Sequence, residues 1–140
     1  MTESAPTYAG DVTPAEAYAL LEEEPNATLV DVRTRAEWTY VGLPDLSGIG
    51  KQVVTVEWLN YPDGEVNPDF VDQVRAATPD GGPILLLCRS GVRSVAAAQA
   101  LTAAGLPNSF NIVEGFEGGL DKDGHRAVNG WKLAGLPWRQ

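Results

Sequence analysis

The chain has 140 residues, of which 44% are hydrophobic and 21% are charged, as expected for one soluble domain with a single core. Its formal net charge of -9 at pH 7 disfavours nucleic acids and anionic membrane surfaces as partners, because binding to either depends on clustered Lys and Arg. The chain has no apolar run long enough to span a bilayer and no basic, apolar leader, so we expect a cytoplasmic protein.

Two capping-box patterns predict helix starts in the first part of the chain. Thr13-Pro14-Ala15-Glu16 combines an N-cap, a proline at the first helical position and a reciprocal glutamate, and Pro25-Asn26 should end that helix. Thr34-Arg35-Ala36-Glu37 repeats the pattern and opens a second, short helix. Between them, the β-branched run 29–32 predicts a buried strand.

The middle of the chain predicts shorter elements separated by loops. Residues 42–52 are rich in glycine and predict an irregular loop, and residues 53–56 predict a strand. Asn67 is expected to cap a third helix with Pro68 at its first position. That helix should stop before Pro79.

The last strands and the longest predicted helix follow. Residues 84–87 are apolar at every position, which is typical of a central parallel strand covered on both faces. We expect a helix from about Val92 to Ala104, ended by Gly105, and a strand at residues 110–113. Strands that alternate with helices indicate an α/β fold whose sheet is mostly parallel, with about five strands and helices on both faces.

These elements predict one domain over residues 1–140. Its core should span about residues 10–120, and a tail at residues 121–140 should pack on the body. Trp58, Trp131 and Trp138 are most simply residues of the core or of the docked tail.

The only cysteine, Cys88, stands at the carboxyl end of the central predicted strand, where open parallel sheets bind their ligands. The backbone must reverse within residues 89–92, and Gly91 can adopt the φ values that turn successive amides inward as an anion nest. A helix terminus alone contributes only about 0.3–1 kcal/mol. Activation of the thiol therefore also needs those amides and the positive charges of Arg89 and Arg93, and together they predict a thiolate nucleophile.

The cysteine loop resembles a known family. Cys88-Arg89-Ser90-Gly91-Val92-Arg93-Ser94 is similar to the active-site loop of rhodanese domains, sulfurtransferases whose cysteine carries a sulfane sulfur as a persulfide. Residues 29–33 with Glu37-Trp38 resemble the family's first conserved segment, and residues 113–118 resemble its glycine-aromatic segment. The resemblance covers about residues 10–120 and implies the rhodanese-like three-layer fold, with Cys88 as the catalytic residue. The residues that it implies for substrate binding are Arg89, Ser90, Gly91, Val92, Arg93 and Ser94.

The chain departs from the family pattern in three places. The family usually has a glycine-histidine-isoleucine-proline-glycine run where this chain has Gly42-Leu43-Pro44-Asp45-Leu46. Glu114 stands where the family often has glycine. The tail from Asp121 is longer than a minimal domain needs. The resemblance therefore assigns no role to the 42–52 loop or to the tail.

Several polar residues have both a structural and a functional interpretation. Asp31 and Arg33 end the first central strand, where they either line the crevice or pair with each other and hold the loop, and we favour the structural role. Glu37 already serves as the capping partner of Thr34, so catalysis is not needed to explain it. The single histidine, His125, lies in a polar turn and is expected to be an exposed loop residue rather than a general base.

The leading hypothesis is a sulfurtransferase. Cys88 would take a sulfane sulfur from thiosulfate or a related small anion and pass it to a small thiol, cyanide or a protein thiol. Arg89 and Arg93 oppose the helix dipole and so need an anion nearby, which the substrate or the persulfide would supply. A single cysteine forms no internal disulfide and lacks the spacing of a zinc site, so neither a metal nor a cofactor is predicted.

Two other functions remain as alternatives. One is a phosphatase or arsenate reductase of the same fold, although such loops generally have five residues between cysteine and arginine rather than the four found here. The other is a non-catalytic module that relays sulfur or binds a protein partner. No oligomeric state follows from the sequence.

Overall fold

The computed structural model describes residues 8–59, 65–79, 81–89, 93–118, 130–132 and 134–139. Within these ranges, five parallel strands form a sheet in the order β1-β6-β5-β2-β4, and a two-stranded antiparallel sheet joins β3 to β7. The strands are β1 (Gly10–Val12), β2 (Thr28–Asp31), β3 (Leu43–Pro44), β4 (Val54–Thr55), β5 (Ile84–Leu87), β6 (Ser109–Ile112) and β7 (Trp138–Arg139). The helices are α1 (Pro14–Glu23), α2 (Arg35–Tyr40), α3 (Phe70–Ala77) and α4 (Arg93–Ala103), with a 3₁₀ turn at Ser47–Ile49.

The predicted α/β class and the mostly parallel sheet of about five strands are confirmed. Strand β5 lies in the centre, between β2 and β6, and all its side chains are at most 2% exposed. Because alternate side chains of a strand point to opposite faces, β2 and β5 supply both halves of the core. Val30 and Leu86 belong to the cluster that includes α3 and α4, whereas Leu29 and Leu85 belong to the cluster that includes α1.

Both capping boxes form as predicted. The Thr13 hydroxyl accepts a hydrogen bond from the Glu16 amide at 3.1 Å, and the Glu16 carboxylate accepts one from the Thr13 amide at 2.9 Å. Thr34 and Glu37 form the same pair of bonds at the start of α2. Each box satisfies amides that the first turn of a helix leaves without partners, and so fixes where the helix begins.

The predicted start of the third helix is wrong. The helix begins at Phe70 rather than Pro68, and Asn67 does not cap it. Instead, the Asn67 side-chain oxygen accepts a hydrogen bond from the Asp69 amide at 3.0 Å, which forms a local turn before the helix. The end at Ala77, before Pro79, is as predicted.

The predicted irregular loop at residues 42–52 is partly regular, because its first residues pair with the end of the chain. Leu43 lies opposite Arg139 and Pro44 opposite Trp138. Gly42 has φ 118°, and a Cβ atom there would lie 2.7 Å from the Arg139 carbonyl oxygen, so this contact requires glycine. The sequence also did not predict strand β1. None of the helices in the described ranges is long and apolar enough to cross a bilayer.

Candidate active site

Cys88 follows the last residue of β5 and is 1% exposed. Asp31, at the end of β2, and the turn that follows β6 lie at the same edge of the sheet, because the three strands are parallel neighbours. Of the residues assigned to substrate binding, Ser90, Gly91 and Val92 lie outside the described residues, as does His125. The described parts of the site are therefore Cys88, Arg89, Arg93, Ser94 and the side chains around them.

The turn after β6 holds the start of the cysteine loop. The Phe116 amide donates to the Cys88 carbonyl at 2.8 Å, and the Glu117 amide donates to the Arg89 carbonyl at 3.0 Å. Gly115 has φ 61°, and a Cβ atom there would lie 2.5 Å from the Cys88 carbonyl oxygen. Only glycine allows this approach, so Gly115 and the two amides set the backbone position of the cysteine.

The C-terminal segment is bonded to the same turn. The Trp131 amide donates to the Gly115 carbonyl at 2.9 Å, and the Trp131 side chain is fully buried. Glu114 has φ 69°, a left-handed conformation that glycine adopts without strain. Its carboxylate accepts a hydrogen bond from the Gly130 amide at 3.1 Å, a contact to the C-terminal segment that a glycine at this position could not make. The cysteine loop, the turn and the tail thus lie side by side.

Arg93, at the start of α4, forms a bidentate pair with Glu37 of α2. The two terminal guanidinium nitrogens donate to the two carboxylate oxygens at 2.8 and 2.9 Å. Burial opposes ionisation of Glu37, but the hydrogen bonds from Arg93 and Thr34 outweigh it and lower the pKa of this carboxyl to about 2. Glu37 therefore has two structural tasks, of which the sequence indicated only the cap.

Arg89 also lies beside a carboxylate. Its Nε is 3.0 Å from Glu117 Oε2, an ion pair in which the N–H is not well aligned with the oxygen. The Arg89 side chain is 47% exposed, whereas that of Glu117 is 15% exposed. The anions beside Arg89 and Arg93 are thus carboxylates of the protein itself, where the sequence pointed to a substrate or persulfide. Glu117 was missed because the pairing is made between distant parts of the chain.

We expect Glu37→Gln to lower the free energy of unfolding at neutral pH by an amount that shrinks in acid. The pKa of Glu37 is about 2 in the folded protein and about 4.5 without the fold, so ionisation of this carboxyl stabilises the fold above about pH 4.5. This contribution is lost as the pH falls from about 4.5 to about 2. Urea unfolding of both proteins across this range measures the difference. Glu16→Gln, which changes a capping box that has no arginine, is the matched control, and a difference for Glu37→Gln that does not vary with pH would contradict the assignment.

Asp31 and Arg33 form a fully buried ion pair at the end of β2. Arg33 Nε lies 2.9 Å from Asp31 Oδ1, and a terminal Arg33 nitrogen lies 2.6 Å from Asp31 Oδ2. The same terminal nitrogen donates to the Gly42 carbonyl at 2.7 Å, and the guanidinium lies 4.3 Å from the centre of the Phe116 ring. The pair joins β2 to the 42–52 segment and to the turn that holds the cysteine, in line with the structural role favoured for it.

A chain of polar side chains reaches Cys88 from the edge strand β1, and its inner members, Ser94 and Asn111, are buried. Cys88 Sγ lies 3.3 Å from the Ser94 hydroxyl oxygen, and that hydroxyl donates to Asn111 Oδ1 at 2.5 Å. The Asn111 amide in turn donates to Asp11 at 3.0 Å. Sequence reasoning identified Ser94 but missed Asn111 and Asp11. The available signal was an asparagine inside the predicted apolar strand at 110–113.

The sequence is similar to one protein family and to individual proteins over most of its length. The family described as the STR4 middle domain matches residues 9–140. The uncharacterized protein RC0915 of Rickettsia conorii is 40% identical over 131 residues, which cover 92% of this chain and 96% of that protein. The chloroplastic protein Thylakoid Rhodanese-like of Oryza sativa subsp. indica is 31% identical over 131 residues, which cover 92% of this chain and 25% of that protein.

Two solved structures resemble the fold over most of its length. The crystal structure of Rv0390 from M. tuberculosis has a TM-score of 0.88 and 50% identity, and the match covers 95% of this chain and 98% of that one. The solution structure of the polysulfide-sulfur transferase homodimer from Wolinella succinogenes has a TM-score of 0.59 and 25% identity, and the match covers 92% of this chain and 77% of that one.

Proposed function

Because the chain belongs to the family described as the STR4 middle domain and is a rhodanese-like domain, we propose that it is a sulfurtransferase whose Cys88 carries the transferred sulfur as a persulfide. The observation that carries the proposal is the position of Cys88. It directly follows the central strand, and its backbone is fixed by Gly115 and the Phe116 amide. A nucleophile held in this way can accept sulfur from one partner and present it to another.

The reaction has two balanced steps. The Cys88 thiolate attacks the outer sulfur of thiosulfate, so that a new S–S bond forms on the cysteine, the S–S bond of thiosulfate breaks, and sulfite leaves with its electron pair. An acceptor such as cyanide, a small thiol or a protein thiol then attacks the outer sulfur of the persulfide. Cyanide would leave as thiocyanate, and the Cys88 thiolate would be restored.

The charges around Cys88 affect which sulfur donor can bind beside it. Arg89 and Arg93 each have a carboxylate neighbour, so a dianionic donor must bind beside neutralised rather than free cations. Inorganic polysulfide, which carries sulfane sulfur with a lower charge density, is therefore a donor to be tested beside thiosulfate. The likeness to a protein described as a polysulfide-sulfur transferase supports its inclusion.

The arrangement of Arg93 disfavours the phosphatase alternative. Phosphate recognition by arginine uses two parallel N–H bonds to the oxyanion. In this protein both terminal nitrogens of Arg93 already donate to Glu37 in that geometry. A phosphate would have to displace a carboxylate whose pKa is lowered to about 2, so the carboxylate stays charged at every physiological pH.

We expect the protein to gain the mass of one sulfur atom when it is mixed with thiosulfate or inorganic polysulfide. The persulfide should persist, because the chain has no second cysteine to resolve it to a disulfide, and it should be lost on addition of cyanide. Intact-mass spectrometry measures each step, with protein alkylated at Cys88 beforehand as the control.

Two results would contradict the proposal. Hydrolysis of an aryl phosphate without any gain of sulfur would favour the phosphatase alternative. A protein that neither gains sulfur from any donor nor hydrolyses phosphate esters would be a binding module.

A further inference from the structure

The polar chain from Asp11 to Cys88 joins the edge strand to the reacting sulfur. Asp11 of β1 and Asn111 of β6 lie directly opposite each other in the parallel pairing. Asn111 and Ser94 are 3% and 0% exposed, whereas Asp11 is exposed. Water is therefore largely excluded from the Cys88–Ser94 and Ser94–Asn111 hydrogen bonds. Which atom donates in each bond is decided by the side chains themselves.

The donors and acceptors of this chain have one consistent arrangement. A carboxylate only accepts hydrogen bonds, so Asp11 selects the NH₂ group of Asn111. Asn111 Oδ1 then faces Ser94 and, being an acceptor, takes the hydroxyl hydrogen. A hydroxyl has a single hydrogen, so the side of Ser94 that faces Cys88 Sγ at 3.3 Å presents lone pairs.

We propose that Asp11 and Asn111 are positioning residues that keep the hydroxyl hydrogen of Ser94 turned away from Cys88 and thereby hold the proton on the Cys88 thiol. The thiol can donate its hydrogen to Ser94, whereas the thiolate has none to donate and faces the hydroxyl lone pairs. The proposal deepens the proposed function, since it concerns the nucleophile of that reaction. When the thiol loses its proton, the sulfur faces those lone pairs unless the Ser94 hydroxyl rotates toward it and leaves Asn111.

Other charged groups near Cys88 act in parallel with this chain. Arg93 of α4 has its pKa raised, first by its hydrogen bond to Glu37 of α2 and to a smaller extent by Cys88 and by Asp31 of β2. Arg93 therefore favours the thiolate, in opposition to the Asp11–Asn111–Ser94 chain. These groups stay the same in the variants below, so a difference between variants reports on the polar chain.

The test is the pH profile of alkylation of Cys88 by iodoacetamide, which reacts with the thiolate. In Asp11→Asn the two amides can reverse, so that the Asn111 NH₂ group donates to the Ser94 oxygen and the hydroxyl hydrogen is free to face the sulfur. We expect the profile to move to lower pH and the alkylation rate on its acid side to rise about fivefold, the factor that one hydrogen bond of average net strength makes in an equilibrium. Asp11 is exposed, so this variant should fold.

Tyr8→Phe is the matched control. The Tyr8 hydroxyl also donates to Asp11, at 2.8 Å, and its removal leaves the Asn111 bond in place, so its profile should match that of the wild type. Asn111→Leu, checked by thermal melting, removes the acceptor of the Ser94 hydrogen and should act in the same direction as Asp11→Asn.

Three results would overturn the proposal: an unchanged Asp11→Asn profile, a shift of that profile to higher pH, or an equal shift in Tyr8→Phe. Alkylation requires no sulfur donor. Failure of this proposal is therefore distinguishable from failure of the sulfur-loading experiment.

Discussion

Replacing Cys88 with serine is expected to reduce the transfer of sulfur from thiosulfate to cyanide to the rate of the uncatalysed reaction, while the protein stays folded. A serine hydroxyl at this position remains protonated at neutral pH and forms no persulfide. The substitution removes little volume, and a hydroxyl can keep a hydrogen bond with Ser94, so we expect the thermal unfolding midpoint to stay close to that of the wild type.

Thiocyanate formation and thermal melts measure the two expectations side by side. Turnover by Cys88→Ser at the wild-type rate would exclude the persulfide mechanism. Loss of the cooperative melt would instead show that the cysteine is needed by the fold. The sulfur-loading experiment, which compares wild-type protein with protein alkylated at Cys88, would then decide whether Cys88 carries the sulfur.

Replacing Arg33 with methionine is expected to destabilise the fold by about 3–5 kcal/mol, because it leaves the Asp31 carboxylate buried without its partner. For a domain of this size we expect the thermal midpoint to fall by roughly 10–20 °C. The Gly42 carbonyl would lose its hydrogen bond in the same variant. Urea unfolding at neutral pH gives the free energy of unfolding directly.

The double variant Asp31→Leu with Arg33→Met is the matched comparison. Replacement of a whole buried ion pair by apolar residues is often nearly neutral, whereas removal of one partner is not. The double variant should therefore be more stable than Arg33→Met alone. If Arg33→Met were as stable as the wild type, the pair would contribute nothing, and the connection between β2 and the 42–52 segment would depend on backbone contacts.

The elements that could be predicted from the sequence are those whose causes are local. The two capping boxes place a threonine and a glutamate three residues apart, so Thr13 and Thr34 identified their helices without any knowledge of the fold. The apolar run of β5 predicted its central position in the same way. Asn67 shows the limit of local reasoning, because a cap and a turn before a helix use the same residue type.

The features that could not be predicted depend on contacts between distant segments. Strand β3 forms only because Trp138 and Arg139 lie beside it. The partners of the two arginines come from α2 and from the turn after β6, and neither Glu37 nor Glu117 is adjacent to them in sequence. The sequence identified Arg89, Arg93 and Ser94 beside Cys88, but it predicted neither the carboxylates that pair with the two arginines nor the polar partner of Ser94.

The pairing of β1 with β6 has a kinetic consequence. Asp11 and Asn111 are 100 residues apart in the chain, so this edge of the sheet closes the longest loop among the described strand pairs of the sheet. Contacts of such high sequence separation form slowly, because the entropy of loop closure is lost before the contact stabilises anything. Because the chain is synthesised from its N-terminus, a growing chain also contains Cys88 before it contains Asn111. We therefore expect the contacts of Cys88 with β5 and α4 to form before β1 docks on β6, and the hydrogen-bonded chain from Asp11 to be completed last.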